Sequence, residues 1–116
     1  MMIPMLRTKI AYATITESNL YYEGSISIDR DLMDTVGLIP GQKVEILNIN
    51  NGQRFETYTI VGERGSGQIC LNGPAARLGV IGDQIMILSY VYVDVEEAKS
   101  VKQEIVHLDE RNKVKS

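Results

Sequence analysis

Few side chains in this sequence could do chemistry, and their scarcity narrows the choice. The one His, His107, and the one Cys, Cys70, lie far apart and cannot furnish a zinc set. No metal is expected, and neither a Ser-His-Asp nor a Cys-His set assembles from this inventory. His107 stands in a charged stretch and reads as a solvated surface residue. Cys70, between Ile69 and Leu71, reads as a small buried apolar residue. The Gly-rich run 62–67 lacks the Gly-Lys-Ser/Thr that a phosphate loop requires. Arg54 could bind a carboxylate through two parallel hydrogen bonds, which Lys cannot copy; its bland reading is a solvated Arg beside a turn. Tyr22-Glu23-Gly24-Ser25 places a Gly-Ser step between two strand-like stretches, and such a pair is by itself usually a turn.

The elements that must position these residues are short. Residues 9–16 alternate, with Ile10, Tyr12 and Thr14 expected on one side and Ala11, Ala13 and Ile15 on the other. Residues 26–28 form a second strand. Residues 29–37 read as a short helix capped by Asp29 or Asp31, with Leu32, Met33 and Val36 on its apolar face and Gly37 after its end. Residues 43–49 and 54–61 read as a hairpin joined at Asn50-Asn51-Gly52. Residues 68–71 form a further strand. Pro74 opens a small helix that Gly79 ends, and the start of that helix offers unpaired N–H groups to an anion. Pro74 has no N–H, so the donors there are Gly73, Ala75 or Ala76. Residues 84–93 read as the longest and most apolar strand. Beyond Asp94 the chain turns charged, and a partly extended, partly frayed tail is expected. Many short strands with small helical pieces indicate an all-β barrel or sandwich.

The 116 residues suit one domain, 1–116. Apolar residues make up 44%, aromatic residues only 6%, so aliphatic side chains must fill the core. Net charge is −3 with no basic run, which excludes a broad nucleic-acid footprint but not a small anionic ligand. No apolar stretch reaches membrane length, and the opening residues 1–6 are too short for a signal peptide, so no membrane association is expected. With a lone Cys, a reducing cytoplasmic setting is expected.

Over nearly its whole length the chain resembles the pyruvoyl-dependent aspartate 1-decarboxylases. Matching pieces are Met5-Leu6-Arg7-Thr8-Lys9-Ile10, Tyr21-Tyr22-Glu23-Gly24-Ser25, Ile28-Asp29, Asp31-Leu32, Asn51-Gly52-Gln53-Arg54-Phe55 and Thr57-Tyr58. Gly62-Glu63-Arg64-Gly65-Ser66-Gly67, Asn72-Gly73-Pro74-Ala75-Ala76-Arg77 and Gly82-Asp83 complete the set. Several spaced motifs in one order are far more specific than any one alone. The resemblance implies a double-psi β-barrel with short helices, a homotetramer with sites at subunit interfaces, and feeding of pantothenate biosynthesis.

It also implies that the Ser25 hydroxyl attacks the Gly24 carbonyl, splitting the chain into 1–24 and 25–116 and leaving a pyruvoyl cofactor on residue 25. L-Aspartate would bind that group as a Schiff base, lose CO₂ and leave as β-alanine. Family correspondence makes Tyr58 the proton donor, and a phenol is protonated at neutral pH without tuning. Thr57 would help position groups at the cleavage site. Arg54, Asn72, Gly73, Pro74 and Ala75 would contact substrate, with Lys9 and Tyr22 near the site. One departure stands out: Ala11 and Tyr12 occupy positions where the family commonly has His and Arg. If that His assists processing, cleavage here is slow or needs a helper protein.

Two rivals remain on the sequence. The stretch Ile26-x-Ile28-Asp29 through Val44-Glu45-Ile46 resembles the half-barrel of swapped-hairpin DNA-binding modules, a likeness of fold that does not decide function. The acidic balance and the motifs after residue 50 favour the enzyme. An unprocessed, inactive relative is the other, and Ala11 gives it weight.

Overall fold

Alternating burial along β-branched strands curls one mixed sheet around an aliphatic core. The computed structural model describes residues 1–115. Its strands are β1 (Met2–Thr14), β2 (Glu17–Asn19), β3 (Ser25–Asp29), β4 (Lys43–Asn48), β5 (Arg54–Gly62), β6 (Ile69–Asn72), β7 (Gln84–Asp94) and β8 (Glu104–His107). One helix, α1 (Arg30–Val36), and 3₁₀ turns at Gly73–Arg77 and Ala98–Ser100 complete the described chain. The strand order is β2-β6-β3-β5-β4-β7-β1-β8.

Register sorts the two faces. Phe55, Ile46, Ile87, Ile10 and Val106 line up across five strands on the inner face. The adjacent row on the outer face is Glu56, Glu45, Leu88, Lys9 and Ile105. The inner core is dominated by Ile, as the low aromatic content requires. Backbone bonds bring the ends of the strand order together: Thr16 N–H, just after β1, donates to Ile69 O in β6 at 2.8 Å. Asn112 Nδ2 donates to Thr14 O at 2.9 Å and Gly67 O at 2.8 Å, while Thr14 N–H donates to its Oδ1 at 2.8 Å. The sheet thereby becomes a barrel, the all-β class expected.

Local signals hold where they are local. Asp29, not Asp31, caps α1, its Oδ1 accepting from Asp31 N–H at 2.8 Å. Leu32, Met33 and Val36 are buried, and Gly37 follows at φ +79°. β4 and β5 pair antiparallel across the predicted hairpin.

Five expectations need correction. The longest strand is β1, with 13 residues against 11 in β7. Two irregularities, between Leu6 and Thr8 and between Ile10 and Ala13, let it bend around the barrel and break its alternation. Ile10 and Tyr12 therefore do not share a side: Ile10 is buried, whereas Tyr12 is exposed at φ +64°. The tail is folded rather than frayed, since β8 pairs parallel with β1 and Leu108 and Asn112 are buried. His107 belongs to β8, half-buried, its ring stacked on Tyr12 with centroids 6.0 Å apart. Gly79 does not end the small helix, whose cap is Leu78. Gly79 is buried under Ile15 and Leu71, where a Cβ would approach within 2.8 Å and 3.0 Å of their methyl groups.

Candidate active site

Ser25 opens β3, and the strand sends its hydroxyl to the outer face with Ser27 while Ile26 and Ile28 enter the core. Antiparallel pairing with β6 puts Asn72 opposite Ser25 and Cys70 opposite Ser27. All four are buried, so their polar atoms must find partners within the protein. Asn72 Nδ2 donates to Ser25 Oγ at 3.0 Å and to Ser27 Oγ at 2.9 Å. The Ser25 hydroxyl has a longer 3.4 Å contact, as donor, with Glu23 O.

The segment before Ser25 is pressed onto the 3₁₀ turn that follows β6. Gly73 has φ +66°, and a Cβ there would lie 2.5 Å from Tyr22 O and 2.8 Å from Gly24 N. Only Gly permits that approach. Gly24 in turn lies against the Pro74 ring, its own notional Cβ 3.4 Å from Pro74 Cδ.

A cavity of about 300 Å³ opens here, lined by Gly24, Thr57, Tyr58, Pro74 and Ala75 together with Phe55, Glu56 and Leu78. Five residues named from the sequence thus share one wall, although 51 positions separate Gly24 from Ala75. Ser25, Asn72 and Gly73 stand next to it in the chain or across the β3–β6 pair and are not in its lining. Phe55, Glu56 and Leu78 were not anticipated. Phe55 and Glu56 directly precede Thr57 on β5, and that adjacency was the available signal.

Arg54 and Lys9 do not line this cavity. Arg54 is exposed, its Nη2 3.4 Å from Glu45 Oε1. The same carboxylate oxygen accepts a 2.6 Å bond from the Tyr90 hydroxyl, and that bond, followed by burial, pushes the Tyr90 pKa up. Lys9 shares the outer row with Glu45 and Leu88. A second cavity of about 400 Å³ lies on this face, lined in part by Glu45, Glu56, Tyr90 and Tyr92. Glu56 borders both cavities.

A family model described as aspartate decarboxylase matches residues 1–115. The chain belongs to that family. Aspartate 1-decarboxylase of Thermoanaerobacter pseudethanolicus is 54% identical over 109 residues, covering 94% of this chain and 93% of that one. The protein of the same name from Caldicellulosiruptor saccharolyticus is 53% identical over 114 residues, 98% of this chain and 89% of that one. That of Acetivibrio thermocellus is 54% identical over 114 residues, with 98% and 90% covered. Among solved structures, a rationally designed protein aligns at 14% identity and a TM-score of 0.49 over 70% of this chain and 94% of its own.

The chain's mixed sheet with short helices accords with the mainly β barrel expected, and membership makes it a carbon–carbon lyase. The swapped-hairpin DNA-binding reading gives way to it. Among the described residues, no helix is long and apolar enough to cross a membrane.

Proposed function

We propose that the chain cuts its own backbone between Gly24 and Ser25 and uses the resulting pyruvoyl group to convert L-aspartate to β-alanine and CO₂. The observation that carries this reading is a buried Ser25 hydroxyl, oriented by Asn72, directly after a glycine in the wall of the cavity that holds Tyr58. The residues fit the group, because it would form from Ser25 itself.

In the cleavage, Ser25 Oγ bonds to the Gly24 carbonyl carbon as the peptide C–N bond breaks, and the hydroxyl proton ends on the Ser25 nitrogen. The ester then eliminates: the Cα proton is lost, the Cβ–Oγ bond breaks and the Gly24 carboxylate departs. Water replaces the nitrogen, which leaves as ammonia. The pyruvoyl ketone so formed would supply an electrophile for the substrate amine and a sink for the electron pair released with CO₂.

The side chains around it bind and deliver protons. The Tyr58 phenol is the acid that returns a proton to the substrate carbon. Thr57, Pro74 and Ala75 form the wall against the substrate, with the backbone of Gly73 behind them, and Asn72 holds position 25. Arg54 anchors a substrate carboxylate, which must displace its contact with Glu45. Arg54 and Lys9 stand on the outer sheet face, and a homotetramer would bring such cations to sites shared between copies. Ala11, where the family commonly has His, makes processing slow or dependent on a helper protein. The reading also places the enzyme in the cytoplasm, supplying β-alanine for pantothenate.

The test is product release. Incubated with L-aspartate, the parent chain should yield β-alanine and CO₂, and Ser25→Ala neither. β-Alanine from Ser25→Ala at the parent's rate would contradict the assignment.

A further inference from the structure

Among the buried groups that the reaction above does not use is the Cys70 thiol. Ser25, Ser27, Cys70 and Asn72 form a compact patch on the outer face of β3 and β6. Asn72 spends its Nδ2 on both serine hydroxyls, and its Oδ1 lies 3.2 Å from Cys70 Sγ. A carboxamide turned by 180° fills the same space but exchanges two donors for an acceptor. The group facing Oδ1 selects between the two orientations. A thiol is a weak donor that suits an oxygen there. Burial, and then the charge of Glu17, pushes the thiol pKa up and keeps the hydrogen on sulfur. The competing acceptor, Leu71 O, is farther away at 3.8 Å.

We infer that Cys70 is a positioning residue for self-cleavage: its S–H orients the Asn72 carboxamide so that the amide hydrogens point at Ser25 and Ser27. This rests on the reading that the chain cleaves itself at Ser25. When the ester eliminates, the Cβ–Oγ bond breaks and Oγ departs with the negative charge of the Gly24 carboxylate, and a donor already fixed on Oγ stabilises that charge. A turned amide would present Oδ1 instead, whose lone pairs oppose that charge. Cys70 touches none of the reacting atoms and acts through Asn72.

The experiment compares the parent with Cys70→Ser, which keeps a donor, and with Cys70→Ala and Cys70→Val, which do not; Val fills the volume should Ala destabilise the barrel. Cleaved fraction against time is read by mass spectrometry, and exchange of the Asn72 side-chain amide hydrogens by ¹⁵N NMR on the still uncleaved chains. Loss of one buried donor should slow cleavage about tenfold in the Ala and Val variants, with Ser staying within about threefold of the parent. Asn72 amide exchange should be slow in the parent and Ser and faster in Ala and Val. Parent-like cleavage in Ala and Val, or Ser as slow as they are, would overturn the inference. A parent that never cleaves would contradict the self-cleavage reading alone, because amide exchange still tests the orientation. Equal exchange in all four chains would overturn it.

Discussion

Tyr58 carries the sharpest residue-scale consequence. It is partly exposed on β5 and reaches the cavity that Gly24 borders, so its ring can be kept while its proton is removed. Tyr58→Phe should leave cleavage intact and lower β-alanine release by about 10²–10⁴-fold, the usual loss for a positioned acid. Parallel assays of chain cleavage and product formation check this, and full activity in the variant would assign the proton to another donor. Tyr58, Thr57 and Gly24 were legible through the motifs that contain them. The bond between Asn72 and Ser25 was not, because it spans 47 positions and exists only in the β3–β6 register. Cys70 looked like a mere core residue for the same reason: its partner Asn72 is two positions away, but only the strand geometry turns Oδ1 towards it.

At the scale of elements, Asp29 ties α1 to the loop before β6. Its carboxylate accepts from Asp31, Gly65 and Gly67 N–H groups at 2.8, 3.0 and 2.8 Å, with Lys113 Nζ at 4.0 Å. Burial acts to raise its pKa, yet the three N–H bonds and Lys113 outweigh that and hold it below the ordinary carboxylate range. A folded pKa below the unfolded one means stability that is full above the unfolded value and lost as pH falls through the folded value. Asp29→Asn should therefore lower stability by about 1–3 kcal/mol at neutral pH and flatten the fall in Tm below about pH 4. Thermal melts across pH check both, and an unchanged acid limb would remove Asp29 from the account. The cap of α1 and the β4–β5 hairpin were legible because their signals lie within a few residues. β8 was not, since its partner β1 is 96 positions away and the charged residues around it resemble a solvated tail. The bend at Tyr12 was hidden too, because a bulge alters alternation without requiring Gly.

Over the whole molecule, the outer sheet face leaves Met2, Tyr90, Tyr92 and Ile105 substantially exposed, with Tyr92 at 70%. Singly, such residues are ordinary; on one side of one sheet they suit contact with other copies. Light scattering should give about four times the mass of one chain, in keeping with shared sites, and a monomer across micromolar concentrations would contradict the tetramer. The all-β class was legible from strand spacing, which left barrel and sandwich open, whereas the closure through Thr16 and Asn112 needed the fold. The central claim is cleavage at Gly24-Ser25, and the mass spectrum of the denatured protein tests it most directly. The account predicts two fragments, 1–24 and 25–116, with a pyruvoyl group at the start of the second, and an intact chain for Ser25→Ala. A parent chain that stays whole after prolonged warm incubation, with or without a helper protein, would contradict it.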